Sequence, residues 1–195
     1  MDIKIDASKV VIKTERLKLR AFAEADLDDL YAYASVPGVG EMAGWPHHES
    51  IGISEGVLRI FIEEKNVFAI CRAEDDRVIG SLGFHYSWAN EDDRYKDLTV
   101  KEIGYVLSKD SWGRGLMPEA VGAVIDYGFN ELKIGAFTCG CIVKNNQSRR
   151  VIEKCGFQFI SYGVYYAKQL QRHFKDMKYI LINGGGPAAF IRSRP

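Results

Sequence analysis

The sequence predicts an α/β (α+β) domain, a mixed, mostly antiparallel central sheet of about seven strands flanked by about four helices. Three observations carry that expectation. Short runs of period-two apolar alternation, joined by polar turns, dominate the first half and read as hairpins. In the second half helical stripes alternate with strands, which makes the sheet mixed. The chain has 195 residues, 47% apolar and 27% charged, enough for one domain with a full core.

Each element has its own warrant. Residues 14–22 (TERLKLRAF) alternate Leu17 and Leu19 against charged neighbours, a half-buried strand. Residues 26–34 place Leu27, Leu30, Tyr31 and Ala34 on one helical stripe. The stretch 35–50 (SVPGVGEMAGWPHHES) is rich in Gly and Pro and reads as a mobile loop. A weaker helix follows, with Ile53, Val57, Leu58 and Phe61 at helical spacing despite Gly52 and Gly56. Residues 67–73 and 78–86 are strands joined by the turn Glu74-Asp75-Asp76-Arg77. A charged surface turn, 90–96, leads to another strand at 99–107 (TVKEIGYVL).

Residues 116–132 set Met117, Val121, Val124, Gly128 and Leu132 along one helix face. Pro118 falls in the first turn, where its missing N–H matters little, and Gly135 lies where a stop is expected. A strand at 136–143 and a short helix at 147–155 follow, the latter with Val151, Ile152 and Cys155 inward. Residues 157–167 and 176–182 form a last hairpin, closed through Gln169-Leu170-Gln171-Arg172. Residues 183–195 (NGGGPAAFIRSRP) show no periodicity and are expected to be a disordered tail after a single domain of residues 1–182.

Lys plus Arg equals Asp plus Glu at 26 each, so no basic excess points to a nucleic-acid partner. No apolar run approaches the roughly 20 residues that cross a bilayer. The opening Met1-Asp2-Ile3-Lys4-Ile5-Asp6 lacks a signal peptide's apolar core, and the chain is expected to be cytoplasmic. Cys71, Cys139, Cys141 and Cys155 form no Cys-x-x-Cys pair and are expected as free core thiols; no metal site is expected.

The chemistry concentrates in Ser111-Trp112-Gly113-Arg114-Gly115-Leu116-Met117-Pro118-Glu119-Ala120, between a strand and a long helix. A glycine-rich turn opening a helix presents unpaired N–H groups and the positive end of the macrodipole. Gly113 and Gly115 let a phosphate approach the backbone, so the turn is an anion cradle with a pyrophosphate as its natural guest. It lacks the Lys-Ser/Thr ending of a P-loop and the third glycine of a dinucleotide fingerprint. A lone Gly-x-Gly is also an ordinary strand-to-helix turn.

A second segment supplies the context: Asn145-Asn146-Gln147-Ser148-Arg149-Arg150-Val151-Ile152-Glu153-Lys154-Cys155-Gly156-Phe157. Together the two segments resemble the GCN5-related N-acetyltransferase (GNAT) superfamily, with its acyl-CoA N-acyltransferase fold. That family's first motif, Gln/Arg-x-x-Gly-x-Gly/Ala, maps onto residues 110–115, and its second onto 145–157. Thr14-Glu15-Arg16-Leu17-x-Leu19-Arg20 and Glu102-Ile103-Gly104-Tyr105 resemble the ribosomal-protein-alanine branch of RimJ/RimL type. Two positions depart from the family pattern. Asp110 stands where Gln or Arg is common, and Ile152 where many relatives have a thiolate-protonating Tyr.

The resemblance implies acetyl-CoA as cosubstrate, transfer to a primary amine, and a set of site residues. Trp112, Gly113, Arg114, Gly115, Leu116 and Met117 would hold the pyrophosphate; Tyr105, Val106 and Leu107, with Asn145 and Ser148, would flank the pantetheine arm. Val106 would offer its N–H to the oxyanion, and Ser148 would meet the leaving thiolate, unless it only satisfies backbone at the helix start. Asn145 either bonds pantetheine or caps the helix.

An alkyl amine is protonated at neutral pH, so a proton acceptor is needed. Glu102 shares a strand face with Gly104 and Val106 and is the candidate; an ion pair with a neighbouring cation is its alternative, and His85 is a lesser candidate. The acceptor, a protein N-terminus or a small amine, is expected between loop 36–50, with Trp45, His47 and His48, and the last hairpin, with Tyr162, Tyr165 and Tyr166. A non-catalytic acyl-CoA-binding module is the alternative reading, and a nucleotide-binding protein a third, disfavoured by the absent P-loop Lys. The sequence leaves monomer and homodimer both open.

Overall fold

The computed structural model describes residues 2–184; of the expected tail, residues 185–195 lie outside the described residues. Eight strands form one sheet: β1 (Ile12–Lys13), β2 (Leu17–Ala21), β3 (Val67–Arg72), β4 (Val78–His85), β5 (Val100–Leu107), β6 (Ala136–Ile142), β7 (Gln158–Ala167) and β8 (Arg172–Ile182). Four helices accompany them: α1 (Leu27–Ala34), α2 (Ile51–Glu64), α3 (Leu116–Asn130) and α4 (Asn146–Lys154). The strand order is β1-β2-β3-β4-β5-β6-β8-β7. All neighbours are antiparallel except β5 and β6.

The sheet buries both faces. On one, Leu19, Ile70, Leu82, Phe84 and Ile103 meet Met117, Val121 and Val124 of α3 and Ile152 of α4. On the other, Val67, Ala69, Cys71 and Val78 meet Leu30 of α1 and Leu58 of α2. Gly128 lets α3 press onto β6, since a Cβ there would lie 2.3 Å from the Phe137 ring. All four cysteines are free, three of them buried.

Three boundaries differ from expectation. The two-residue β1 is additional, and the first expected strand begins late, at Leu17 rather than 14, because Thr14 turns the chain there, accepting the Leu17 N–H through its hydroxyl at 3.0 Å. The last strand starts at Arg172 rather than 176, because Gln171 turns left-handed (φ 48°) and brings Arg172 opposite Ala167. The weak helix is a full fourteen residues; only Ser54 and Leu58 are buried, so Gly52 and Gly56 stand exposed and break no packing.

Candidate active site

A parallel pair of strands must be held by crossover packing, and here the pairing stops short. β5 and β6 match at Val100–Ala136, Lys101–Phe137 and Glu102–Thr138, and then part. β5 runs on against β4 to Leu107, while β6 runs on against β8 to Ile142. A wedge opens between them.

The glycine turn lies at the end of β5. Gly113 and Gly115 adopt φ of 74° and 75°, a conformation costly for residues with a Cβ, and nothing lies within 4 Å of a Cβ built on Gly113. Gly115 is the N-cap of α3 and has no side chain to satisfy the first N–H groups, so those of Leu116 and Met117 face the turn. Trp112 fastens the turn to the strand, its Nε1 donating to the Leu107 carbonyl at 2.8 Å.

Arg16 and Glu119 brace the turn from behind. The Glu119 carboxylate accepts from Thr14 Oγ1 (2.6 Å), Arg16 N (2.9 Å) and Arg16 Nε (2.7 Å). Arg16 Nη1 reaches the Arg114 carbonyl at 3.0 Å and pulls it back from the cradle. Burial opposes ionisation of Glu119, yet the bonds from Thr14 and Arg16 hold its carboxyl below the usual range. The TERL segment signalled this pair, although sequence reasoning used it only for kinship.

In an antiparallel ladder bonded and non-bonded pairs alternate. Ser108 donates to the Ile79 carbonyl at 2.7 Å, which fixes the phase of β4 on β5. Val106, opposite Ser81, therefore turns its N–H and C=O toward β4. A Cβ on Gly80 would lie 2.3 Å from the Val106 oxygen, which agrees. Val106 as oxyanion donor is thus corrected: its amide is committed to the sheet. Tyr105 and Leu107, one step out of phase, turn their N–H groups to the wedge.

Across the wedge, the Tyr105 hydroxyl meets Ser148 Oγ at 2.9 Å and the Ser148 carbonyl at 3.2 Å. Burial pushes the Tyr105 phenol well above its ordinary range, so it stays a neutral donor. Asn145 caps α4, its Oδ1 accepting from Ser148 N at 3.0 Å, and its Nδ2 donates to the Met42 carbonyl at 3.3 Å. The helix start is capped by Asn145, which leaves the Ser148 hydroxyl to Tyr105. Ile152 is 1% exposed and belongs to the core.

Glu102 lies at the root of the wedge. Burial raises its pKa to about 7, against a weak 3.4 Å bond from Thr138 Oγ1, and the Asp176 charge adds to the rise. No ion pair forms on it among the described residues. His85 is its cross-strand partner, with a ring that lies over Gly104. Desolvation and the Lys101 charge hold that imidazole below its usual pKa.

The Gly/Pro loop roofs the acceptor side. Glu41 gathers it, accepting from Gly38 N (2.7 Å), His47 N (3.2 Å) and His47 Nδ1 (2.7 Å). Despite burial, these bonds hold the Glu41 carboxyl at about 2. Gly44 (φ 94°) rests on the Tyr165 ring. A cavity of about 310 Å³ is lined by Gly44, Trp45, Tyr165, Tyr166, Lys168 and Gln169. Two expected acceptor residues are elsewhere: His48 is buried against Ser54 Oγ (2.7 Å), and Tyr162 is on the opposite sheet face under Lys175. No cluster of three metal-ligating residues occurs among the described residues.

Comparison with known proteins gives the family from a domain match and from sequence relatives, and the fold from a solved structure. The acetyltransferase (GNAT) domain family matches residues 16–158. The "Probable N-acetyltransferase YjcK" of Bacillus subtilis is 38% identical over 105 residues, 54% of this chain and 55% of that protein. The "Uncharacterized N-acetyltransferase p20" of Bacillus licheniformis is 31% identical over 150 residues, 74% of this chain and 80% of the relative. The crystal structure of a GNAT-family acetyltransferase from Bacillus anthracis superposes with a TM-score of 0.76 at 22% identity, covering 90% of this chain and all of that one. The match over residues 16–158, on a fold that parts at β5 and β6 beside a glycine turn, places the chain in the GNAT acetyltransferase family.

Proposed function

We propose that the chain moves the acetyl group of acetyl-CoA to a primary amine by direct attack within a ternary complex. The single observation that carries the scheme is the wedge between β5 and β6, beside a cradle of unpaired N–H groups. The diphosphate sits on the turn Trp112–Met117, where its charge meets the N-terminus of α3. Pantetheine enters the wedge as an added strand would, on the edges of β5 and β6. The thioester then lies near Glu102 and the Tyr105–Ser148 pair.

The amine arrives as an ammonium and must be neutral to attack. Glu102, titrating near 7, takes one proton directly or through water and returns it to solvent. As the C–N bond forms, charge moves to the carbonyl oxygen, where the Tyr105 or Leu107 N–H receives it. The C–S bond breaks and the thiolate takes a proton from Ser148, which Tyr105 replenishes. The second proton lost by nitrogen leaves through Glu102 to solvent, and Tyr105 regains one from solvent, so the cycle closes with one net proton released. No nucleophilic side chain is used.

The RimJ/RimL-type placement rests on the TERLxLR and EIGY segments and makes a protein N-terminus one acceptor to test, beside small amines. No helix among the described residues is long and apolar enough to cross a membrane; a cytoplasmic setting, as monomer or homodimer, is part of the proposal. The test is an acetyl-CoA consumption screen over N-terminal peptides, polyamines and aminoglycosides. Turnover with a primary amine supports the scheme, and none with any of them overturns it.

A further inference from the structure

The cavity between the roof loop and the last hairpin has aromatic walls for which the backbone makes room. A Cβ on Gly40 would lie 2.3 Å from Trp45 Cε3, and one on Gly44, at φ 94°, would lie 2.6 Å from Tyr165 Cε1. Both rings are therefore seated into the loop. The Trp45 backbone N–H donates to the Gly40 carbonyl at 3.1 Å, and its ring packs on that of His48, centroids 5.1 Å apart. Tyr166 is held against His173, centroids 4.6 Å apart. Rings fixed before a ligand arrives cost little to order on binding. The volume, about 310 Å³, is at the small end for ligand sites and suits one ring on a short chain.

The cavity adjoins the wedge at one end. Asn145, which caps α4 beside Ser148, also holds the roof loop through the Met42 carbonyl. Burial and then the Glu102 charge raise the Tyr165 phenol, so this wall lies within the field of the proposed base. The other end is cationic. No Asp or Glu occurs in residues 155–175, which include Lys168, Arg172 and Lys175. Arg172 and Lys175 lie over the Phe174 and Tyr162 rings, 5.1 and 4.6 Å from the centroids. Lys168 lines the cavity, and its ammonium has neither an acidic nor an aromatic partner among the described residues. No carboxylate lines the cavity. An aromatic cage built for a cation would not carry its own lysine, because two ammonium groups repel. A ring followed by a negative charge satisfies both features.

We propose that this cavity binds an aromatic ring carried by the acceptor and that Lys168 meets a negative group beyond it, so the favoured acceptor is an aryl-bearing amine with an anionic end. The inference rests on the acetyl-transfer reading and narrows its acceptor class. Polyamines and aminoglycosides would bring further ammonium groups against Lys168 and Arg172 and are poor acceptors. The same ring and charge occur in a free arylalkylamine or in the residues that follow a peptide N-terminus. Trp45, Tyr165 and Lys168 bind and orient; bond making stays with the groups described above.

Four primary amines separate the two features. Para-carboxyphenethylamine carries ring and anion, phenethylamine the ring, aminohexanoate the anion, and spermidine neither. In the wild-type chain kcat/KM is highest for the first, by about tenfold over the second and third and about a hundredfold over spermidine. Trp45→Leu removes the advantage over aminohexanoate, and Lys168→Gln the advantage over phenethylamine. Circular dichroism and acetyl-CoA calorimetry check that each variant folds and loads; should Trp45→Leu fail to fold, Lys168→Gln, at an exposed position, still decides. The tripeptides Ala-Phe-Asp and Ala-Ala-Asp pose the same ring comparison for a peptide N-terminus, and the source with the higher kcat/KM is the one assigned. Equal kcat/KM across both sets, a preference for spermidine, or ratios that neither variant moves overturn the assignment. Failure of the wild-type chain to bind acetyl-CoA would instead remove the reading beneath it.

Discussion

The Tyr105 hydroxyl lies 2.9 Å from Ser148 Oγ, so a strand on one side of the wedge is bonded to a helix on the other. In the proposed scheme this pair stands in for the tyrosine that position 152 does not supply, since Ile152 is packed in the core. Ser148→Ala is expected to lower kcat by about ten- to a hundredfold, with little change in the KM for acetyl-CoA. Tyr105→Phe, which keeps the ring and removes the replenishing proton, has a smaller effect in the same direction. Steady-state kinetics of the two variants separate these outcomes.

As the proposed base, Glu102 is expected to set the acidic limb of the rate profile. It must be ionised to accept a proton, so kcat/KM rises as pH passes through about 7. Glu102→Gln removes that limb along with most of the rate. Stability moves oppositely. The folded pKa lies above the unfolded one, so the contribution is fully present below about 4.5 and is lost as pH rises through about 7. At pH 8 Glu102→Gln is therefore the more stable protein, by about 1–3 kcal/mol, and the advantage fades in acid. Thermal melts across that range check the sign.

The cradle is tested by distorting it. Gly115 sits at φ 75° with Arg16 Nη2 3.7 Å from the place of a Cβ, so Gly115→Val strains the turn and crowds the Arg16 brace that holds it. Acetyl-CoA at a hundred times its Kd should stabilise the wild-type chain by about 2.7 kcal/mol, well beyond any effect of ATP or NAD. In Gly115→Val that increment vanishes while the unliganded melt survives. Differential scanning fluorimetry reads both.

Arg16 and Glu119 touch no substrate in the scheme but hold the turn that does. Arg16→Ala or Glu119→Gln frees the Arg114 peptide, and the KM for acetyl-CoA rises about tenfold with kcat less affected. A matching loss in kcat alone would mean that the brace serves the chemistry rather than the cradle.

Much of this was legible in the chain because local pattern and local chemistry agreed. Gly113 and Gly115 marked the turn that opens α3, and the alternation of residues 99–107 put Glu102 and Gly104 on one face. The misassigned Val106 shows the limit. Which amide of a strand points to a gap depends on hydrogen-bond phase, and that is fixed by Ser108 on Ile79, a pairing no single strand displays. Likewise Tyr162 and Tyr165, three residues apart in one strand, fall on opposite faces by simple alternation, and only the pairing of Tyr162 with Met177 shows which of the two faces the core side.

Asn145 spends one end of its amide on α4 and the other on the roof loop, at Ser148 and Met42. Replacing it would unsettle the thioester's neighbour and the acceptor's ceiling in a single stroke. Rate constants for the two substrates of such a variant would be entangled, and a defect charged to coenzyme A alone would be misread.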